Sequence, residues 1–536
     1  MRAALAQKYR QHHPEETPLF ALVKKHWPNF AANADTFYRG GLPVYVRDEF
    51  RAYERCGIHA YGFARARCQS CGHTMLVAFS CKKRGICPSC NARRMADTAA
   101  RLVDRVLPEA RLRQWVLSVP YELRMTLARH PEALSAVGRL FIEEIFRWQR
   151  ALGTRLGLAA AHSADVHLKG GAICFPQRFG GSLNLNVHYH VIVPDTLFHR
   201  DTEGRLQFEV LRRPSRSELE DITYNVSVRA IRWLERKGFI QPEEPIEEPS
   251  LLQMCLQSSL GLGELATLSR KGEPTRIIHR ENGSVSRKVR GGEFNIHVGE
   301  PASGKEEREQ LIRYCARAPL SLERLSISED DKVVYQLKHP IGGKTHRVMS
   351  PEQFLARLCA LIPPPRHPLV RFHGVFAPAS KWREEAVTFA RTDEPAKSSN
   401  KFPHKECAPV VEKNVERPHL DWATLLKRVY NIDALRCECG GQIRFEELID
   451  DSKRATAFLE LFAIQSPREH STSTHVILWT DAPNQTALSA KSFNFSGSPQ
   501  PEPETVDDFN QGSAPTDDPE PAPPDDIWFQ DDFPQD

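Results

Sequence analysis

No uninterrupted apolar run in this 536-residue chain approaches the ~18 residues that a membrane-crossing helix needs. The opening MRAALAQKYRQHHPEE lacks the apolar centre of a secretory leader. The chain is therefore expected to be a soluble, cytoplasmic protein with no membrane partner. No segment repeats at a fixed period, which argues against a solenoid or propeller. There is no H-E-x-x-H and no carboxylate cluster, so a metallohydrolase with a water nucleophile has no support. From Pro501 onward there is no Lys or Arg at all, against twelve acidic residues.

That last absence hides an asymmetry. The net charge is +4 overall, and removing −12 for the tail leaves +16 on residues 1–500. A basic body with an acidic tail points to a polyanionic partner, nucleic acid first. The tail, from about 496, is rich in Pro, Asp, Glu and Ser. It cannot bury enough apolar surface to offset its ordering entropy and is expected to be disordered, with Trp528, Phe529 and Phe533 as its aromatics.

At 40% hydrophobic residues, the rest has material for real cores. At about 150 residues per domain, three or four domains are expected. Helical periodicity marks 91–107, 131–152, 217–238 (with Ser217 as cap), 306–316, 351–361 and a short module at 422–429. Alternation marks strands at 115–119, 171–178, 183–193, 293–298 and 332–337, with Gly180-Gly181 turning between the second and third.

Six of the thirteen cysteines fall between Cys56 and Cys90. In a reducing compartment such a cluster reads as a metal site rather than a disulfide framework. Cys68-x2-Cys71 and Cys87-x2-Cys90 are fifteen residues apart, and two such knuckles close a tetrahedral Zn²⁺ site. Cys81, Cys56, His59 and His73 lie close enough to replace one of the four, though packed thiols or surface imidazoles are the plainer reading. Lys82, Lys83, Arg84, Arg93 and Arg94 surround the cluster with charge that suits phosphate backbone or simply a solvated face. Near the C-terminus, Cys437-Glu-Cys439-Gly440-Gly441 has one residue too few for an ordinary knuckle and no visible partner. It is not expected to bind metal.

The stretch Asn184-Leu-Asn-Val-His188-Tyr-His190-Val-Ile-Val carries chemistry of another kind. In a strand His188 and His190 project together and Tyr189 opposes them, so two imidazoles on a rigid central strand are able to grip a divalent cation. Two core histidines fit the pattern equally. On the 306–316 helix, Gln310 precedes Tyr314 by one turn and Arg317 follows it. A phenol, with a pKa of about 10, is a poor nucleophile until a metal or an arginine assists it, and a core tyrosine fits this helix as well.

Together and in this order, these features resemble one family. Arg67-Cys68-x2-Cys71-Gly72-His73 with Cys81-Lys-x-Arg84-Gly-x-Cys87-Pro-Ser-Cys90-x-Ala-Arg93-Arg94 resembles the zinc-binding domain of rolling-circle transposases of the insertion-sequence ninety-one type. Asn184–His190 resembles the histidine–hydrophobe–histidine (HUH) motif. Arg313-Tyr314-Cys-Ala-Arg317-Ala-Pro319 resembles the catalytic tyrosine helix. Later blocks include Arg371-Phe-His373-Gly, and the likeness covers roughly 45–445.

The resemblance implies an α+β fold. A zinc ribbon-like module would lead into a central antiparallel HUH sheet with flanking helices, followed by the acidic tail. It divides the chain into a helical arm (1–50), a zinc-binding domain (51–95) and a catalytic region (96–345) with an irregular basic insertion (240–290). An accessory DNA-binding region (346–450) with a linker (391–418) and the C-terminal tail (451–536) complete it.

The implied chemistry is nicking and transfer of single-stranded DNA from the ends of a mobile element into target DNA, in association with the nucleoid. Structural Zn²⁺ sits on the cysteines. Mg²⁺ or Mn²⁺ on His188 and His190 faces the scissile phosphate, Tyr314 attacks, and Arg317 holds the phosphate. Arg84, Arg93, Arg94, Arg371 and His373 are the expected DNA contacts. Founding members carry a second tyrosine where this chain has Gln310, so the chain falls in the single-tyrosine branch. Gln310 becomes the candidate third metal ligand, with His297 as the alternative. Rejoining then uses the same tyrosine twice or a second subunit, as in a homodimer. A DNA-binding protein that has lost catalysis is the competing expectation.

Overall fold

The computed structural model describes residues 13–37, 41–158, 168–240 except 202, 277–279, 285–289, 292–388 except 342, 422–430 and 432–465. The expected linker, nearly all of the basic insertion and the acidic tail lie outside the described residues.

Two helices, α1 (Pro18–Phe37) and α2 (Val44–Tyr53), precede the hairpin β1 (Phe63–Cys68) and β2 (Thr74–Ala78), which leads into α3 (Pro88–Arg105). Then come β3 (Leu112–Ser118), α4 (Tyr121–Arg129), α5 (Pro131–Arg155), the hairpin β4 (Gly171–Phe179) and β5 (Leu185–Pro194), the ribbon β6 (Thr196–Arg200) and β7 (Leu206–Val210), and α6 (Arg216–Arg236). Strands β8 (Ile277–His279), β9 (Val285–Val289) and β10 (Gly292–Ala302) run into α7 (Lys305–Cys315). A small sheet of β11 (Leu325–Ile327), β12 (Val333–Ile341) and β13 (Lys344–Met349) follows. The rest is α8 (Pro351–Leu361), β14 (Arg371–Gly374), α9 (Arg383–Thr388), α10 (Trp422–Tyr430), β15 (Ile443–Ile449) and α11 (Ser452–Gln465).

The fold is α+β, as expected. Its centre is a seven-stranded antiparallel sheet in the order β14-β4-β5-β3-β10-β9-β8. Alternation sends the side chains of β5 to two different cores. Val187, Tyr189, Val191 and Val193 join Trp115 and Leu117 of β3 and pack with α5. Ile192, with Ile173 and Phe175 of β4, faces α3 and α7 instead. His188 and His190 lie on this second face.

Local chemistry explains how the neighbours fit. Pro131 sits in the first turn of α5, where its missing N–H costs nothing. Gly138 of α5 lets Tyr189 approach: a Cβ there would meet the ring at 2.9 Å. The phenol then donates to the carbonyl of Leu134 at 2.8 Å. Helix α6 is capped by Ser215 rather than Ser217. Ser215 and Glu218 form a reciprocal capping box, which places Ser217 inside the first turn of the helix although Ser217-x-x-Glu220 has the same spacing. A buried, two-pronged ion pair from Arg113 to Asp195 (3.0 and 2.7 Å) ties β3 to the end of β5, and Arg113 also donates to the carbonyl of Gly299 in β10 at 2.9 Å.

Packing joins segments that are far apart along the chain. Cys87 and Cys90 belong to the main core with Leu19 and Phe50 of the N-terminal helices, and α3 runs on into the tyrosine-side core. From the C-terminal part, β14 is an edge strand of the central sheet, and β15 adds a third strand to the β1–β2 hairpin.

Candidate active site and metal centres

β5 is flanked by β3 and β4, so its histidines cannot swing out with a loop. Each is only 2% exposed. Their Nε2 atoms lie 3.0 Å apart. Two nitrogens about 2.1 Å from one octahedral ion, on adjacent positions, are also about 3 Å apart. The pair thus has the spacing of two ligands to one divalent cation.

Nδ1 of His188 donates to the carbonyl of Asn186 at 2.9 Å, because a carbonyl only accepts. That leaves the Nε2 lone pair aimed at His190. The side-chain amide of Gln114 meets Nδ1 of His190 at 2.7 Å. The Gln114 atom at this nitrogen is Nε2, so a cation on Nε2 of His190, which requires the proton on Nδ1, calls for a half-turn of the amide that brings its oxygen to the ring. Burial first, and then Arg317 and Arg124, push His188 down to about 4. Burial, His188, Arg317 and Lys338 push His190 well below the usual imidazole range. Both rings are neutral at pH 7, the form that binds metal. Gln114→Ala is expected to weaken divalent-cation binding 10–100-fold, read by titration calorimetry, as loss of a ligand-orienting partner does elsewhere. Unchanged affinity would remove Gln114 from this role.

Helix α7 brings Tyr314 to this pair. Leu311, Ile312 and Cys315 bury its inner face against the core shared with α3. The Tyr314 ring meets His190 edge-on, with centroids 5.6 Å apart. Arg317 lies 5.2 Å from the Tyr314 ring centroid and 5.3 Å from that of Phe179. Lys338, on β12, lies 5.2 Å from the Tyr314 ring centroid. Nothing in the sequence pattern marked Lys338. Desolvation, Arg317 and Arg324 lower its pKa. Among the described residues no carboxylate pairs with Arg317, Arg324 or Lys338, so positive charge gathers beside the tyrosine.

Gln310 is exposed on α7, and no hydrogen bond joins it to either histidine. His297 pairs with Val116, which pairs with His190, and so lies two strands away, on the order of 10 Å. Among the described residues no third His, Cys, Asp or Glu atom stands within 4.8 Å of both histidines. Gln177 does share their face, because it is the cross-strand partner of His188. Its Nε2 donates to the carbonyl of Cys315 at 2.6 Å, and its Oε1 is buried without a hydrogen-bond partner. A neutral oxygen donor thus sits where sequence reasoning did not look, since cross-strand register is invisible in the sequence.

The four cysteines expected to share one ion do not meet. Cys87 and Cys90, at the first turn of α3, gather with Cys56 and Cys81, while Cys68 and Cys71 gather with Cys437 and Cys439. In the first group Cys56–Cys90, Cys81–Cys90 and Cys56–Cys87 are 3.7, 3.4 and 3.5 Å apart. Four sulfurs at ~2.3 Å from one tetrahedral Zn²⁺ stand about 3.8 Å apart, far beyond the ~2.05 Å of a disulfide. The sulfurs therefore fit a tetrahedral ion. The N-terminus of α3 adds a positive field for the thiolates. In the second group Cys68–Cys439 and Cys71–Cys437 are 3.5 and 3.6 Å apart.

The expected DNA contacts are spread out. Arg84 donates to the carbonyls of His367 and Pro364 at 2.8 and 3.0 Å. Arg94 donates to those of Lys83 and Lys82 at 3.2 and 3.0 Å. Arg93 is half-buried on α3. Arg371 and His373 pair with Cys174 and Ala172 and so point to the sheet face opposite the histidine pair. Burial first, and then Arg371 with other cations, pushes His367 down to about 3 and His373 to about 4. Unfolded imidazoles titrate near 6.5. The unfolded chain therefore takes up protons first, and this stability is present above pH 6.5 and lost as pH falls toward 4 and 3. Urea midpoints are expected to drop over that window, and less steeply for His373→Gln. Equal slopes would discard His373 as a contributor.

Two family models match the chain. One, described as "Putative transposase", covers residues 171–384, and the other, "Transposase zinc-binding domain", covers residues 22–119. Between them they span more than half of the sequence, the histidine pair, the Tyr314 helix and six of the eight clustered cysteines. No curated protein and no solved structure matches. The chain is a transposase, a protein that acts on DNA. More narrowly, it belongs to the IS91-family transposases. The zinc-binding domain and the sulfur geometry together support structural zinc. Among the described residues no helix is long and apolar enough to cross a membrane.

Proposed function

We propose that this transposase nicks and transfers single-stranded DNA through a 5′-phosphotyrosine on Tyr314, as a single-tyrosine enzyme of the rolling-circle type. The observation that carries the reading is the edge-on contact of Tyr314 with His190, with Arg317 and Lys338 beside the same ring. His188 and His190, with Gln177 Oε1 in place of Gln310 as third ligand, hold Mg²⁺ or Mn²⁺. The ion supplies Lewis-acid polarisation of the scissile phosphate.

Arg317 and Lys338 hold the phosphate oxygens against the tyrosine. The Tyr314 oxygen forms a bond to phosphorus and its proton leaves to solvent. The bond from phosphorus to the 3′ oxygen breaks, and that oxygen takes up a proton to become a free 3′-OH. A later attack by a DNA 3′-OH reverses these bond changes and transfers the strand. The phosphodiester energy is conserved in the link, so no nucleotide cofactor is needed. Rejoining uses Tyr314 again or the tyrosine of a second copy in a homodimer.

The test incubates the full chain with labelled single-stranded DNA from its element's ends, with Mn²⁺ or with chelator. An SDS-resistant adduct that needs the metal supports the reading. DNA bound but never cut or linked would leave a zinc-dependent DNA-binding protein instead.

A further inference from the structure

Cys437 and Cys439 lie outside both matched regions, and their C-x-C spacing is too short for an ordinary knuckle. In the fold they nevertheless complete a four-sulfur group with Cys68 and Cys71, all four sulfurs within 4.8 Å of one another. Backbone turns shape both halves. Gly72, at φ +75°, follows Cys71, and its N–H donates to the carbonyl of Cys68 at 3.0 Å. Gly440, at φ +83°, follows Cys439, the N–H of Cys437 donates to the carbonyl of Gly441 at 2.8 Å, and that of Gly441 points at Cys439 Sγ at 3.4 Å. A Cβ at Gly441 would lie 2.8 Å from the sulfur of Cys68, so only glycine lets the two halves close.

We infer that Cys68, Cys71, Cys437 and Cys439 hold a second Zn²⁺, distinct from the one on Cys56, Cys81, Cys87 and Cys90, which clasps the C-terminal strand β15 onto the N-terminal hairpin. Four thiolates in tetrahedral array select zinc among the common divalent ions. The clasp has an obvious load. β15 pairs with β1 from Phe63↔Ile449 to Cys68↔Ile443, and the metal group closes the end of that ladder. Among the described residues the apolar cluster under it is small: Ala66, Cys68, Cys437 and Ile443, with Met75 against them. Among the described residues, a strand returning from some 370 positions along the chain has little else to hold it at that end. The inference is independent of the catalytic reading and stands or falls without it.

The test needs no variant to begin. Elemental analysis of the full-length protein is expected to give two zinc ions per chain. Cys71 and Cys439 are exposed. In native protein they are expected to resist N-ethylmaleimide and to react once a strong chelator is added, with peptide mapping as the readout. Cys437→Ser with Cys439→Ser is expected to lose one zinc and to speed amide exchange in β1 and β15, leaving β3 and β5 protected. One zinc in the wild type, immediate alkylation of Cys71 and Cys439, or iron at this site would each overturn the inference. If the double variant does not fold, the wild-type zinc count and thiol footprint still decide.

Discussion

Tyr314→Phe is expected to abolish the covalent protein–DNA product, by at least about 10³-fold in rate, while single-stranded DNA binding stays within roughly a factor of three. The substitution deletes one oxygen and keeps the ring. The contacts with His190, Arg317 and Lys338 are made by that ring, so the helix and its cations stay in place. A chain that still cuts DNA as Tyr314→Phe would be using water as its nucleophile, and the transfer mechanism would be lost with it. The comparison with His188→Ala separates the two roles, since that change leaves the nucleophile and removes half of the imidazole pair.

Breaking the Arg113–Asp195 pair is expected to be the most damaging single change to stability. Either Arg113→Ala or Asp195→Ala should cost about 3–5 kcal/mol, because each strands a buried charge. Both side chains are under a tenth exposed, and Arg113 also holds a carbonyl of β10. The double change should cost clearly less than the two single losses combined, since the second deletion removes the stranded partner. Chemical denaturation of the three variants checks this. Single losses below about 1 kcal/mol would show the pair to be solvated in solution.

The strands and helices around the site were largely readable. The alternation over 183–193 placed the histidines on one face, and the pattern over 306–316 set the tyrosine on a helix. What failed was whatever depended on partners far apart in sequence. Cys68-x2-Cys71 and Cys87-x2-Cys90 look like two halves of one site because they are the two regular knuckles on the page. Their real partners are a lone Cys56, Cys81 and an irregular pair near the other end of the chain. Gln310 looked like a metal ligand by helical spacing, yet the helix buries Leu311 and Ile312 and leaves Gln310 outside. Gln177 and Lys338 reach the site through strand register and a separate hairpin, neither of which leaves a local signature. The cap of α6 is ambiguous in sequence, because Ser215 and Ser217 each stand three residues before a glutamate, and only the fold selects Ser215.

Helix α3 joins two of these findings. Capped by Cys87, it runs 18 residues, about 27 Å. Near its far end Asp104 is gripped by Arg428 of α10 at 3.1 Å and by Lys305 of α7 at 3.0 Å, and Arg428 also holds Glu309 of α7 at 2.7 Å. The helix is a beam whose root lies in the cluster of Cys56, Cys81, Cys87 and Cys90 and whose tip supports the helix that bears Tyr314. On the proposed mechanism, zinc supply becomes a condition on DNA cutting. A chain made in a zinc-starved cell would lack the seat of the beam, and its tyrosine would lose alignment before it met a phosphate. Mobility of the element would then follow the metal nutrition of its host.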